Sequence, residues 1–410
     1  MAEVDPARLP FDEAIQYFRD KLNLTTASWT ELWQGQHSKA FTIAGALRDE
    51  LLSDFRGAID QAIAQGTGYA AFRKDFERIV QQHGWSYRGG AGWRSRVIYQ
   101  TNMQTAYQAG RYAQMDQLRR QRPYWRYRHS PLVRDPRPEH EGWDGLVLRH
   151  DDPWWETHYP PNGWGCRCSV QTLSERGLKR LGKERPDSAP EIVWQERTVG
   201  LRGPHPRSVR VPQGIDPGWA YNPGQAAFGQ TRSQEIMEEW ATTQGEWISL
   251  TPAGWAEAGR PERMPLAPAP VPLAPRLTDP AAVVALLESI LGGPEKQYQP
   301  AGLPVRVHAR SLGEHIDPNR SEYLPLMDDL LSHPYEVWLD FEQHRQSRQV
   351  RLRARLIKAY DLGGGKLVLM VLNARSGYLE GWTFLTTRDR KYINRQRHGR
   401  LLLAADETGQ

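Results

Sequence analysis

The run His158-Tyr159-Pro160-Pro161-Asn162-Gly163-Trp164-Gly165-Cys166-Arg167-Cys168 is the most informative segment of this chain. Two adjacent prolines force the backbone to arrive extended. Asn162-Gly163 then supplies a tight reversal. In the extended run that follows, alternate residues share a face, so the thiols of Cys166 and Cys168 leave in one direction. These are the chain's two cysteines. A bridge across one intervening residue fits disulfide geometry poorly, which leaves a metal as the better use of the pair. With His140, and with His158 or Asp144 as the fourth donor, Cys166 and Cys168 make a candidate structural zinc site. The alternative is two small buried apolar residues beside a hydrogen-bonded histidine.

Around this stretch, residues 123–175 are rich in Trp, Pro, His and Asp, with strand-like runs at Trp125-Arg126-Tyr127-Arg128 and Leu146-Val147-Leu148. Asp144-Gly145 is a turn that folds the second run back on the first. A compact, loop-heavy module with aromatic packing is expected. Upstream the texture is helical. Phe41, Ala44, Leu47, Leu51, Leu52, Phe55, Ile59 and Ile63 predict a helix from His37 to Gln65, with Gly66 at its C-cap. A second helix is predicted from Tyr69 to Gln82. A long third runs from about Gly92 to Arg120, with Val97, Thr101, Ala106, Tyr107 and Met115 as its inner stripe. Residues 1–34 read as an arm with a short amphipathic turn at Asp12–Phe18.

Downstream, residues 190–260 alternate polar and Trp-containing stretches, with a helix expected near Arg232–Thr243. Met264-Pro265-Leu266-Ala267-Pro268-Ala269-Pro270-Val271-Pro272-Leu273-Ala274-Pro275 reads as a stiff extended tether, with an ordered strap lying on a domain as the alternative. Beyond it, helices are predicted at Pro280–Leu291 and Glu322–Leu331, then strands at Glu336–Asp340, Gln349–Ala359, Lys366–Asn373 and Leu379–Leu385. Arg351, Arg353 and Arg355 alternate with Leu352, Ala354 and Leu356, which gives one basic and one buried face. Gly363-Gly364-Gly365 and Ser376-Gly377 are turns between antiparallel neighbours. A small α+β domain follows, with helices on one face of an antiparallel sheet and arginines on the other.

The 410 residues imply two or three domains, and 39% apolar composition is enough for real cores. No secretory signal and no membrane-spanning apolar run is read, so a soluble, cytosol-made chain is expected. Residues 341–400 hold fourteen Lys/Arg against four Asp/Glu, in a chain whose net charge is +5. Such local asymmetry suits a polyanionic partner, nucleic acid first, with a solvated basic surface as the bland alternative. No Ser-His-Asp or His-Glu-x-x-His pattern supports a protease.

Two stretches, in this order and spacing, carry a resemblance. One is Tyr99-Gln100-Thr101-Asn102-Met103-Gln104-Thr105-Ala106-Tyr107-Gln108-Ala109-Gly110-Arg111. The other runs from Asp135-Pro136-Arg137-Pro138-Glu139-His140 through Trp143-Asp144-Gly145 to the Cys166-Arg167-Cys168 ending. Together they resemble the Mu F-like head-morphogenesis family over roughly residues 35–175. Where some members carry Cys-x-x-Cys, this chain has Arg137-Pro138-Glu139-His140. The resemblance implies a minor capsid protein of a tailed Mu-like bacteriophage, made in the host cytoplasm. It implies a place in the virion head, in the capsid interior or portal region, with the phage portal protein and capsid or scaffold proteins as partners and no membrane.

A second resemblance covers about residues 300–402. Gly313-Glu314-His315-Ile316, Asn319-Arg320, His333-Pro334-Tyr335-Glu336-Val337-Trp338, the strands, and Tyr392-Ile393-Asn394-Arg395-Gln396-Arg397-His398-Gly399 resemble phage members of the barnase–EndoU–colicin–RelE-like nucleases. That implies metal-independent RNA cleavage, which needs a base, an acid and cations at the phosphate. The candidate catalytic residues are His315 as acid/base, Arg320 and Arg353 at the phosphate, Thr386 or Thr387 as a hydrogen-bonding orienter, and Tyr392 for stacking or proton transfer. Arg351, Arg355, Arg395 and Arg397 are the candidate nucleic-acid-binding residues. A binding module without catalysis is the alternative. The chain is thus read as an α+β multidomain protein: an arm (1–34), a Mu F-like module (35–180), an irregular region with the Pro-Ala linker (181–275) and a basic nuclease-like domain (276–410).

Overall fold

The structure, a computed structural model, describes residues 11–133, 135–201, 206–229, 247–251, 253–362 and 366–405. The expected helix near Arg232–Thr243 and the Gly363-Gly364-Gly365 turn lie outside the described residues. The chain divides into two compact units, Met1–Gln244 with Gln346–Val350, and Gly245–Arg345 with Arg351–Gln410. Helix and sheet are mixed, as the sequence implies.

The first unit is built on α1 (Asp12–Arg19), α2 (Asp49–Gln65), α3 (Tyr69–His83) and α4 (Ala91–Gln117). α2 and α3 stop at Gly66 (φ 69°) and Gly84 (φ 58°), a left-handed conformation that favours glycine. Phe18, Phe41, Leu52, Phe55, Phe72 and Phe76 close the core between them. α2 starts at Asp49 rather than His37. Gly45 takes a φ of 85°, which no helix continues through, and Ala40–Phe41 instead pairs as a short strand with Leu22–Asn23. Leu47 is accordingly exposed. On α4 the buried stripe is Ile98, Thr105, Ala106, Ala109, Tyr112 and Met115, and Tyr107 faces out.

After α4 come β1 (Tyr124–Arg128), α5 (Pro138–Gly142), β2 (Val147–Arg149) and β3 (Ser169–Leu173). β1 is the middle strand, antiparallel to both others. Trp125, Tyr127, Trp154, Trp155 and Tyr159 are fully buried around it, so the expected aromatic module is present. A hairpin, β4 (Trp194–Val199) with β5 (Arg207–Pro212), was not foreseen.

The second unit holds a nine-stranded sheet among the described residues. Its elements are β6 (Trp247–Ser249), β7 (Ala267–Pro268), α6 (Pro280–Leu291), β8 (Glu295–Tyr298), β9 (Val305–His308), α7 (Ala309–His315), α8 (Met327–Ser332), β10 (Glu336–His344), β11 (Val350–Asp361), β12 (Lys366–Arg375), β13 (Tyr378–Thr387), α9 (Arg390–Gln396) and β14 (Arg400–Ala404). The strand order is β8-β9-β13-β12-β11-β10-β14, with β6 on β10 and β7 on β11. The expected Glu322–Leu331 helix splits into a 3-10 stretch, Pro318–Leu326, and α8. The Pro-Ala segment is a strap rather than a tether. Ala267–Pro268 pairs with Tyr360–Asp361, Met264 is buried in the core, and the Ala274 N–H donates to the Glu322 carbonyl at 3.0 Å.

Parity along β11 separates the two faces of this sheet. Lys358 and Tyr360 bond Asp329 of α8, so the even positions face α8. Ile357 and Ala359 pack with Ile393 of α9, which puts the odd positions, Arg351, Arg353 and Arg355 included, on the other face. One buried ion pair ties that face together. Arg397 is 0% exposed and donates to both oxygens of Glu336, at 2.6 and 2.7 Å, while Arg260 donates to the same carboxylate at 2.9 Å. Removing one member of such a pair strands the other in a dry interior, at a cost of about 3–5 kcal/mol. Arg397→Ala is therefore expected to lower the second unit's unfolding free energy by that much, measured by urea equilibrium denaturation, whereas Arg395→Ala, exposed on α9, leaves it unchanged.

Candidate functional site

On the odd face of the second unit, the strand β10 alternates Glu336, Trp338, Asp340 and Glu342 toward the same side as the arginines of β11. Glu342 lies at the centre, paired with Arg351 and Arg355, with Arg353 at 3.8 Å. Arg353 also donates to Asn373 Oδ1 at 2.9 Å. Burial resists ionisation of Glu342, but the Arg355, Arg351 and Arg353 guanidiniums outweigh it and hold the carboxyl below its usual range. Asp340 is fully buried, accepts from Ser249 Oγ at 2.7 Å, and lies 3.1 Å from His398 Nδ1 and 3.5 Å from Arg355 Nη1.

His398 reaches Asp340 because of the residue after it. Gly399 has φ 104°, and a Cβ there would sit 2.5 Å from the Leu339 carbonyl oxygen and 2.9 Å from Asp340 Cβ. The loop can therefore lie directly on β10. Asp340 Oδ2, His398 Nδ1 and Arg355 Nη1 are buried yet make no well-aligned hydrogen bond. Buried polar atoms in that state have hydrogen-bonding capacity that a water, an ion or a ligand can take up. His398 itself is about a quarter exposed, so the group opens to solvent. Asp340, Glu342 and His398 place their donor atoms within 4.8 Å of one another, a spacing that suits a metal. Three adjoining guanidiniums make an anion the better guest.

The second constellation lies in the first unit. The turn before the two cysteines is pinned by Asp216, whose Oδ2 accepts from Trp164 N at 2.8 Å and Arg137 Nη2 at 2.6 Å. A Cβ on Gly163 would fall 2.4 Å from that oxygen, so the tight approach needs glycine there. Both thiols are buried and free, and both face His140 of α5, whose Nδ1 lies 3.6 Å from Cys168 Sγ and 3.9 Å from Cys166 Sγ. His129, which sequence reasoning passed over, puts its Nδ1 3.6 Å from Cys168 Sγ. The hydrogen bond from Cys166 comes first in drawing Cys168 well below the usual thiol range, and the same bond pushes Cys166 up.

Residues 53–171 match the family described as Phage Mu protein F like protein. Residues 282–404 match the phage-Barnase-EndoU-ColicinE5/D-RelE like nuclease2 family. The first region is Mu F-like, and the second is nuclease-like. Among curated relatives, the chain is 36% identical over 253 residues to the putative capsid assembly protein F of Escherichia phage Mu, covering 54% of this chain and 56% of that protein. It is 38% identical over 226 residues to the Mu-like prophage FluMu F protein of Haemophilus influenzae, covering 50% of this chain and 54% of that protein. The chain thus spans about half the length of the curated relatives it matches. No solved structure matches it significantly.

Within the nuclease-like domain the structure gathers some of the expected site residues and scatters others. Arg351, Arg353 and Arg355 are together, though Arg355 is buried in ion pairs instead of lying on a solvated face. Arg397 is no surface contact either, because Glu336 holds it in the interior. Arg395 is exposed. Tyr392 is on α9, half-buried against the apolar cluster that includes Ile357 and Ile393, on the arginine side. Thr386 pairs with Val368 and so shares the helical side, opposite the arginines. Arg320 lies in the 3-10 stretch that packs with α6 and α8 on that same side. His315 ends α7, also on the helical side, and its side chain lies outside the described residues. Glu342, Asp340 and His398 were missed. The Glu-x-Trp-x-Asp-x-Glu alternation from Glu336 to Glu342 was the available signal, since period two in a strand puts all three acids on one face.

In the Mu F-like region, neither expected fourth donor approaches the thiols. Asp144 Oδ1 accepts from the His129 backbone N–H at 2.9 Å. His158 is buried, stacked on Trp154 at 4.3 Å between ring centroids, with Nδ1 2.8 Å from Thr157 Oγ1. Burial pushes His158 down from 6.5 to about 4, so the folded chain keeps it neutral while the unfolded chain protonates it. Its contribution to stability is complete above the unfolded value and is lost as pH falls toward about 4. Urea denaturation followed by tryptophan fluorescence is expected to give a lower midpoint at about pH 5 than at about pH 7.5, and His158→Gln to narrow that difference.

Proposed function

We propose that this chain is a head-morphogenesis component of a tailed Mu-like phage, carried in the particle near the portal or head interior, with a C-terminal domain that cleaves RNA. The Mu F-like region and its two curated relatives support the first half. No helix among the described residues is long and apolar enough to cross a membrane. The observation that carries the second half is the group on β10 and β11: an ionised carboxylate inside three arginines, beside a carboxylate-bound histidine.

The chemistry follows from charge and reach. Glu342, ionised among the guanidiniums, accepts the proton of the attacking 2′-hydroxyl. Arg351, Arg353 and Arg355 offer donors to the phosphate oxygens as negative charge gathers there. Asp340 faces His398 Nδ1 as an ion-pair partner at 3.1 Å, leaving Nε2 to protonate the departing 5′-oxygen. The products are a 2′,3′-cyclic phosphate and a free 5′-hydroxyl, with no metal in the proton transfers. Trp247, stacked under the Arg351 guanidinium at 3.8 Å, fixes that arginine and offers an aromatic surface beside the site.

Two measurements test this reading. Full-length protein incubated with single-stranded RNA in a chelator is expected to yield cyclic phosphate ends. His398→Ala should lower the rate about a hundredfold or more while keeping salt-sensitive RNA binding. Uncut RNA with retained binding in the unaltered protein would leave a module that only holds nucleic acid. For the first half, mass spectrometry of purified particles is expected to detect the chain far below the major capsid protein; its absence from particles would refute placement in the head.

A further inference from the structure

We propose that Cys166, Cys168, His140 and His129 bind a zinc ion that fixes the end of the Mu F-like region. The distances argue for it. Two donors on one tetrahedral zinc, a thiolate at about 2.3 Å and an imidazole at about 2.05 Å, lie about 3.6 Å apart. The Cys168–His140 and Cys168–His129 separations are both 3.6 Å, and Cys166–His140 is 3.9 Å. Cys166, Cys168 and His140 already converge, with their donor atoms within 4.8 Å of one another. They can supply three of the four ligands of a tetrahedral ion. His129, half-buried on the loop leaving β1, approaches this group through Cys168 and is assigned as the fourth ligand.

The orientation of His140 argues for it independently. Its Nε2 lies 2.9 Å from the Gly214 carbonyl oxygen. A carbonyl only accepts, so Nε2 carries the proton and Nδ1 presents its lone pair to both sulfurs. This is how metal-bound imidazoles are held, by an outer hydrogen bond that fixes the tautomer and the ring plane. Gly214 is specifically suited to the task. It has φ 81°, and a Cβ there would meet Glu139 Cβ at 2.7 Å and Trp143 at 2.8 Å. Trp143 stacks on the other side of the imidazole, 5.2 Å between centroids. Thiol protons alone explain the cluster less well, because the one proton of Cys168 serves one imidazole while two approach it. The half-buried His129 also leaves the ion a way in.

The test uses the full-length chain purified without chelator. Elemental analysis is expected to find close to one zinc per chain. Exchange with cobalt(II) should produce the absorption of a tetrahedral ion and a thiolate-to-cobalt charge-transfer band. Both readouts need only the unaltered protein, so they stand even if Cys166→Ser or Cys168→Ser does not fold. His129→Ala, altered at the rim, should keep the fold by circular dichroism while zinc affinity falls about tenfold or more and the cobalt spectrum changes. Metal-free protein that yields no thiolate–cobalt band would overturn the proposal. An unchanged cobalt spectrum in His129→Ala would remove His129 from the site.

Discussion

A carboxylate taken out of water must find a cation, and in the nuclease-like domain one strand carries three that do so. Glu336, Asp340 and Glu342 point to one side of β10, and each is less than a tenth exposed. Each dictates what lies above it. Glu336 requires Arg397 and Arg260, which fixes the end of α9 and the chain leading into the strap. Asp340 takes Ser249 from β6 and His398 from the loop after α9. Glu342 takes the arginines of β11. Elements that are distant in sequence are brought onto one sheet face largely because these charges cannot be left unpaired.

The Mu F-like region solves the same problem with aromatic surface. Trp125, Tyr127, Trp154, Trp155 and Tyr159 enclose a small sheet that carries few aliphatic residues. Their polar ends are spent on fixing loops. Tyr127 Oη donates to Asn162 at 2.9 Å, Trp155 Nε1 to the Arg149 carbonyl at 2.9 Å, and Tyr159 Oη to the Gln108 carbonyl of α4 at 3.1 Å. Such residues bury a large apolar area while their polar atoms hold irregular backbone in place. This is how a segment with so little regular structure brings two histidines and two thiols to one point.

What could be read in advance follows from how local each cause is. α3 and α6 were legible because apolar spacing and a capping glycine lie within one window, and α6 adds Asp279 as its N-cap and Pro280 in its first turn. The alternation on β11 was equally local, and it placed the arginines opposite α8, although α9 shares their side. The start of α2 was misjudged because Phe41, Ala44 and Leu47 keep helical spacing by coincidence across Gly45. His398 and Asp340 were passed over because their meeting depends on a chain reversal at Gly399 that no periodicity announces. His129 and His140 are separated by a loop, so their shared approach to Cys168 is a product of packing. Conversely, Thr386 and His315 looked suitable by residue type alone, and strand parity and helix placement put them on the other side of the sheet.

The two ends of β10 are asked for different things by the same kind of group. At Glu336 the carboxylate is saturated: two arginines and the Trp338 indole N–H, at 2.7 Å, meet it in a fully closed interior. No capacity remains there for a ligand, so that pair serves cohesion. Six residues along, Glu342 is met by more positive charge than one carboxylate can neutralise, and Asp340, Arg355 and His398 keep badly aligned polar atoms. A buried ion pair adds little net stability compared with apolar packing of the same volume. An over-supply of arginines is worse still, since guanidiniums repel one another unless an anion joins them. The arrangement at Glu342 is therefore costly as architecture, and under the proposed function an entering phosphate would supply the missing charge. The saturated pair at Glu336 is what lets the strand hold the unsaturated one.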